Sequence, residues 1–83
     1  MTKAEMNEIH PDEVVDAYGF LCPMPIIKIA EKMNTMTPGR ILQVIASDAA
    51  IQNDLPIWCK NSGNELLRLE SRDGEFHGFV RKK

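Results

Sequence analysis

The stretch Gly19-Phe20-Leu21-Cys22-Pro23-Met24-Pro25 marks the point where a strand gives way to a helix. Val14 and Val15, a few residues before this stretch, are β-branched, which favours a short strand. Gly19 offers the backbone freedom that a tight strand-to-helix turn requires. Pro23 suits the first helical position, and Pro25 is still tolerated within the first turn. The stretch therefore predicts a cysteine thiol presented on a stiff turn at the start of a helix.

A regular helix and a central strand are expected to follow. A helix is predicted from about Pro23 to Met36, because an apolar stripe recurs at helical spacing from Ile26 onward. Thr37-Pro38-Gly39 ends it, because proline cannot continue a helix. The aliphatic run Ile41–Ala46 predicts a strand covered on at least one face. A strand, a helix and a second strand in this order predict a βαβ unit with parallel strands.

The second helix is less regular than the first. Ser47-Asp48 is placed to cap its N-terminus, and Gly63 suits the position just after its end. Pro56 leaves two alternatives open. One kinked helix runs from Ala49, or a first turn ends and a second helix begins with Asp54 as its cap.

A hairpin is predicted to complete the chain. The segment from Glu65 to Ser71 alternates, with Leu67 and Leu69 on one face, and Arg72-Asp73-Gly74-Glu75 is an Asp-Gly turn signal. The return strand runs from Phe76 to Val80. The order β-α-β-α-β-β predicts an α+β fold, a two-layer α/β sandwich with a four-stranded mixed sheet and both helices on one face.

Length and composition limit the possible functions. The chain has 83 residues, and we predict one domain over residues 13–83 after a flexible N-terminal tail, residues 1–12. A formal net charge of −2 argues against a general nucleic-acid or membrane-surface binder. The polar start does not resemble a signal peptide, and no apolar run is long enough to span a bilayer. We therefore expect a cytoplasmic protein with reduced thiols.

The cysteines match neither of the common paired motifs. Cys22 and Cys59 lie far apart, without a CxxC redox pair or a zinc-ligand cluster, and His10 and His77 are the only histidines. We expect no metal site. Cys59 shares the apolar face of the second helix and is predicted to pack in the core, with a reversible disulfide to Cys22 as the alternative.

The surroundings of Cys22 favour a carrier of a chemical group. A helix N-terminus favours negative charge, so we expect the thiolate to be stabilised and the thiol pKa to be lowered, modestly, because two prolines remove donors. No resolving cysteine or histidine is near in sequence, although His77 could approach in space. A thiol without acid/base groups of its own suits a carrier whose partners supply catalysis. Free cysteines are, however, usually buried apolar residues, so a structural Cys22 is the alternative.

Five further polar residues are candidates for supporting roles. Asp16 and Asp48 are predicted to act at a strand end and a helix cap, with a functional carboxylate pair as the alternative. Lys28, Lys32 and Arg40 are expected near the first helix, where they form either a partner-docking patch or a solvated face.

The segment from Asp16 to Pro25 closely resembles the Cys-Pro-x-Pro signature of the TusA (SirA-like) sulfur-carrier family. The likeness extends from about Val14 to Lys82. It includes Ser47-Asp48 and the segment from Asp54 to Cys59, which are similar to the family's Asp-Pro and Asp-Ile-Pro-x-Phe-Cys stretches.

This resemblance implies a sulfurtransferase-type carrier that holds sulfur as a persulfide on Cys22. A cysteine desulfurase or another sulfur donor would load it, and a downstream acceptor protein would receive the sulfur. It also implies a sandwich like the C-terminal domain of translation initiation factor 3, without metal or organic cofactor. Transfer RNA thiolation, cofactor maturation and sulfur oxidation all remain possible pathways. The alternative is a regulatory or RNA- or protein-binding module with a structural Cys22, which the net acidity disfavours.

Overall fold

The computed structural model describes residues 9–83. Its elements follow the predicted order, and they are β1 (Glu13–Ala17), α1 (Met24–Met33), β2 (Ile41–Ala46), α2 (Ile51–Ser62), β3 (Glu65–Arg72) and β4 (Glu75–Arg81). Most of the predicted tail lies outside the described residues. Its last residue, Asp12, donates its backbone N–H to the carbonyl oxygen of Ile41 at 2.8 Å.

The four strands form one mixed sheet in the order β1-β2-β4-β3. β1 pairs with β2 in parallel, whereas β4 pairs with β2 and with β3 in antiparallel fashion. Asp73 and Gly74 connect β3 to β4, and both have positive φ, 51° and 82°. That backbone suits a tight hairpin, because its twist matches the twist of the strands. The predicted fold class and the hairpin are confirmed.

The core lies between the sheet and the two helices. Alternate residues of β2, namely Leu42, Val44 and Ala46, are buried on the helix side. Gly78 of β4 faces the same layer, and a Cβ atom there would lie 2.6 Å from Cδ2 of Leu55 in α2. Both helices therefore cover one face of the sheet. The helical core residues include Ile29 and Met33 from α1 and Ile51, Leu55 and Cys59 from α2.

Helix α1 ends at Met33, three residues before the predicted end at Met36. Beyond Met33 the turn tightens, since the N–H of Met36 donates to the carbonyl oxygen of Met33, three residues back, at 3.1 Å. Nζ of Lys82 also donates to the carbonyl oxygens of Met33 and Met36, at 2.6 and 2.7 Å. A cationic donor at a helix C-terminus satisfies carbonyl oxygens that lack an intrahelical partner, and so it stabilises the end of the helix here. Lys82 is 49 residues away from Met33, so the local pattern does not reveal this contact.

Helix α2 is continuous from Ile51 to Ser62, with Pro56 inside it. The alternative in which Asp54 caps a separate helix is therefore wrong. The helix also begins two residues after Ala49. Its buried stripe of Ile51, Leu55 and Cys59 spans the proline, so packing against the sheet outweighs one missing backbone N–H. Within residues 9–83, no helix has the length and apolar character needed to cross a membrane.

Strand β3 contains an irregularity that changes which leucines face the core. Its pairing with β4 shifts between Leu66 and Arg68. As a result Leu66 and Leu69, rather than Leu67 and Leu69, pack against the core. An extra residue in one strand disturbs the two-residue alternation, which is why simple alternation assigned Leu67 to the wrong set.

Candidate functional site

The candidate site lies at the edge where the two parallel strands end. Ala17 at the end of β1 pairs with Ala46 at the end of β2, so the loops that follow lie side by side. Both loops lead into helices that return across the same face, so α1 and α2 begin at this edge. The crevice beyond the carboxyl ends of parallel strands is a common place for functional groups.

The first loop is held by hydrogen bonds from its own strand and from the second loop. Asp16 accepts the backbone N–H of Tyr18 at 3.0 Å, which fits its predicted position at the strand end. Gly19 adopts φ 88°, a conformation that disfavours other residues. Its N–H donates to Oγ of Ser47 at 2.8 Å. The turn is therefore tied to the neighbouring loop just before the thiol.

Asp48 forms the second tie and bridges the two helix starts. Its Oδ2 accepts the backbone N–H of Cys22 at 2.8 Å, and its Oδ1 accepts that of Ala50 at 3.0 Å. These two backbone donors lower the pKa of the Asp48 carboxyl. The predicted cap is thus displaced, because Ala50 occupies the N-cap position and Asp48 stabilises the turn before the helix. Sequence reasoning did not anticipate that the same carboxylate holds Cys22.

The prolines shape the start of α1 in a slightly different way from the prediction. Pro23 is the N-cap, so Met24 is the first helical residue. Pro25 lies buried in the first turn, and the Cys22–Pro23 peptide bond is cis. Cys22 directly precedes the N-cap and is only partly buried, outside the core cluster. The position supports presentation of the thiol.

The electrostatic expectation for this thiol was wrong. The pKa of Cys22 is raised to about 11, first by partial burial and then by the Asp54 carboxylate as hydrogen-bond partner and as neighbouring charge. The charge of Asp48 acts in the same direction. The start of α1 offers few backbone N–H donors that could stabilise the thiolate against these effects. The N–H of Cys22 is bound to Asp48, and prolines, which have no N–H, occupy two nearby positions. The protonated thiol is therefore the favoured form in the chain alone.

Asp54 is the residue that sequence reasoning missed as part of the site. It lies in the first turn of α2, which the parallel pairing of β1 and β2 places beside the start of α1. The useful signal was available, since two helices after parallel strands begin at one edge. From the sequence alone, Asp54 was expected only as a possible helix cap and as part of a family motif.

The predicted basic residues lie along α1 and beyond its C-terminal end. Lys28 stacks over the ring of Phe20, with Nζ 4.5 Å from the centroid. Lys32 pairs with Glu13 at 3.1 Å, and Arg40 pairs with Asp12 at 3.0 Å. Lys28 thus lies nearest to the thiol loop, whereas the other two already have acidic partners.

The remaining candidates lie away from the thiol. His77 contacts Gln43 and Glu75, each at 3.0 Å, on the sheet face that the helices do not cover. Cys59 is buried in the core, and its burial raises the pKa of its thiol to about 11. Both cysteines are free. In the described part of the chain, no three histidine, cysteine or acidic side chains gather as a metal site.

These features define a small two-layer α+β protein that presents one thiol beside two carboxylates. The family model described as Sulfurtransferase TusA matches residues 13–82, so the chain belongs to that family. A putative sulfur carrier protein of Bacillus subtilis is 46% identical over 68 residues, which are 82% of this chain and 89% of that protein.

Two further comparisons extend this result. A putative sulfur carrier protein of Aquifex aeolicus is 35% identical over 77 residues, 93% of this chain, but the chain spans only 39% of that longer relative. The crystal structure of the SirA-like protein from Desulfitobacterium hafniense superposes with a TM-score of 0.72 at 20% identity. The match covers 83% of this chain and 95% of that one, and it supports the fold.

Proposed function

We propose that this protein is a sulfur carrier that accepts sulfur as a persulfide on Cys22 and passes it to an acceptor protein. The observation that carries the proposal is a thiol held at the edge of the fold, outside the core, by a backbone bond to Asp48. A structural cysteine needs no such presentation. Membership in the Sulfurtransferase TusA family supports the same function.

The loading step is an exchange at sulfur. The Cys22 thiolate attacks the outer sulfur of a donor persulfide, a new S–S bond forms on Cys22, and the donor thiolate leaves with the electrons of the broken bond. The Cys22 proton goes to solvent or to a base of the donor protein. Transfer to the acceptor repeats this exchange, so no external oxidant or reductant is required.

The proposed partners are a cysteine desulfurase or another sulfur donor, and a downstream sulfur-acceptor protein. Transfer RNA thiolation, cofactor maturation and sulfur oxidation are the candidate pathways. Lys28, Lys32 and Arg40 are proposed as partner contacts, with Lys28 first because it borders the thiol loop through Phe20. We place the exchange in the cytoplasm, where thiols are kept reduced.

Intact-mass spectrometry tests the proposal. The chain is incubated with a cysteine desulfurase and cysteine, and in a second arm with inorganic polysulfide as a protein-free donor. We expect a gain of about 32 Da, one sulfur atom on a thiol. Cys22→Ser removes the gain, whereas the matched control Cys59→Ser keeps it. If neither donor loads Cys22, the carrier function is wrong and a binding module with a structural Cys22 becomes the better interpretation.

A further inference from the structure

An unusual group of exposed apolar side chains lies next to Cys22. We call Leu21, Met24, Ile27 and Ile57 the apolar rim. Leu21 is 73% exposed and Ile57 57% exposed, while Met24 and Ile27 are 41% and 43% exposed. Single exposed apolar residues are ordinary on a soluble protein, but a group around one reactive position indicates an interaction site.

The members of the apolar rim come from both helix starts. Leu21 and Met24 flank Cys22 in sequence, and the Leu21 carbonyl accepts the Met24 N–H at 3.0 Å. Ile27 lies one helical turn beyond Met24 and shares its side of α1. Ile57 lies one turn beyond Asp54, whose carboxylate neighbours the Cys22 thiol. The rim therefore borders the thiol from α1 and from α2.

The charge inside the apolar rim is negative. Asp54 and Asp48 both act on the Cys22 thiol as neighbouring charges. Among residues 9–83, no lysine, arginine or histidine pairs with either carboxylate. Asp48 is engaged by backbone N–H groups, so Asp54 is the carboxylate available to a partner. The nearby cation, Lys28, is stacked over Phe20.

We propose that the apolar rim and Asp54 form a docking surface for a partner protein that presents an apolar patch with a basic side chain opposite Asp54. This proposal rests on the proposed carrier function, because sulfur transfer is what would bring such a partner to Cys22. Charge complementarity selects the basic group, because an acidic partner would meet the carboxylates at the thiol. A basic group beside Asp54 also offsets the part of the rise in the thiol pKa that comes from the Asp54 charge.

Thiol–disulfide exchange with short peptides tests this surface without any sulfur donor. Three peptides carry a cysteine activated as its 2-thiopyridyl disulfide, with flanking residues leucine and arginine, leucine and glutamate, or serine and arginine. The Cys22 thiolate forms the new S–S bond and thiopyridone leaves, so its absorbance gives the rate. Rates with N-acetylcysteine correct for the intrinsic reactivity of each peptide.

We expect the leucine–arginine peptide to react about tenfold faster than the leucine–glutamate peptide, since a unit charge is attracted in one case and repelled in the other at about 6 Å in water. The leucine–arginine peptide should also react about fivefold faster than the serine–arginine peptide, because its leucine becomes partly buried on the apolar rim. Asp54→Asn should reduce the charge ratio to about threefold or less. Ile57→Ser should reduce only the leucine advantage. Glu65→Gln, which removes an exposed carboxylate at the opposite edge of the sheet, is the matched control.

Arginine and glutamate peptides that react equally, or an unchanged charge ratio in Asp54→Asn, would overturn the basic partner. Equal rates for the leucine and serine peptides would overturn the apolar patch. Circular dichroism of each variant separates these outcomes from loss of the fold. Because the assay contains no sulfur donor, its result is independent of whether Cys22 forms a persulfide.

Discussion

Replacing Asp54 with asparagine should make the Cys22 thiol more acidic. The pKa of this thiol is raised to about 11 by partial burial and by the Asp54 and Asp48 carboxylates. A negative neighbour disfavours the thiolate, so removing the charge of Asp54 lowers the thiol pKa. Asparagine retains the size of the side chain, so the packing of α2 should be nearly unchanged.

The size of the effect is worked out by treating Asp54 as a unit charge in hydrogen-bond range of the thiol. A unit charge about 4 Å away costs roughly 1 kcal/mol in bulk water and more in a partly buried site. That corresponds to a fall of about one pKa unit, from about 11 to roughly 10. At pH 8 the thiolate fraction then rises about tenfold. A less basic thiolate is also a weaker nucleophile, so the net gain in alkylation rate is about threefold.

The assay is alkylation by iodoacetamide, a neutral reagent, followed between pH 7 and pH 11 by intact mass. Peptide mapping assigns the label to Cys22 rather than to buried Cys59. Glu65→Gln is again the control, because it removes one exposed carboxylate at the opposite edge of the sheet. A titration midpoint that stays the same or rises in Asp54→Asn would refute the assignment of Asp54 as a charge acting on Cys22.

Two further predictions concern the core. Gly78→Ala should destabilise the fold by about 2 kcal/mol, because the new Cβ would lie 2.6 Å from Leu55 and 3.0 Å from Val44. The midpoint of thermal unfolding should then fall by about 10 °C. An unchanged midpoint would contradict this packing. Burial raises the pKa of the Cys59 thiol to about 11 in the folded chain, whereas the same thiol has a pKa of about 8.5 in the unfolded chain. The unfolded chain therefore releases this proton first as the pH rises. The free energy of unfolding is unaffected below about pH 8.5 and falls as the pH rises toward 11. Urea unfolding of the wild type should therefore lose on the order of 2 kcal/mol more than Cys59→Ala between pH 7 and pH 10, and equal losses in the two chains would count against it.

Much of the architecture was readable from local patterns. The order of elements, the Asp-Gly hairpin and the central strand rest on short-range preferences that the final fold does not overrule. The errors occurred where a distant residue intervened. Lys82 binds the carbonyl oxygens at the end of α1, which stops before the predicted Met36, and the shift near Leu66 changes which leucine of β3 packs against the core. In α2, the buried stripe carries the helix through Pro56 against the local preference.

The sequence by itself determined that Cys22 stands on a stiff turn before a helix, because the glycine and prolines act on the backbone locally. Only the tertiary structure decided the chemistry of that thiol. Parallel pairing of β1 and β2 brings Asp48 and Asp54 to Cys22 from more than twenty residues away. Burial of the thiol, which is the largest cause, and these two carboxylates together raise the thiol pKa against the shift that the helix N-terminus alone would favour. Burial and electrostatic interactions depend on position in space rather than on separation along the chain.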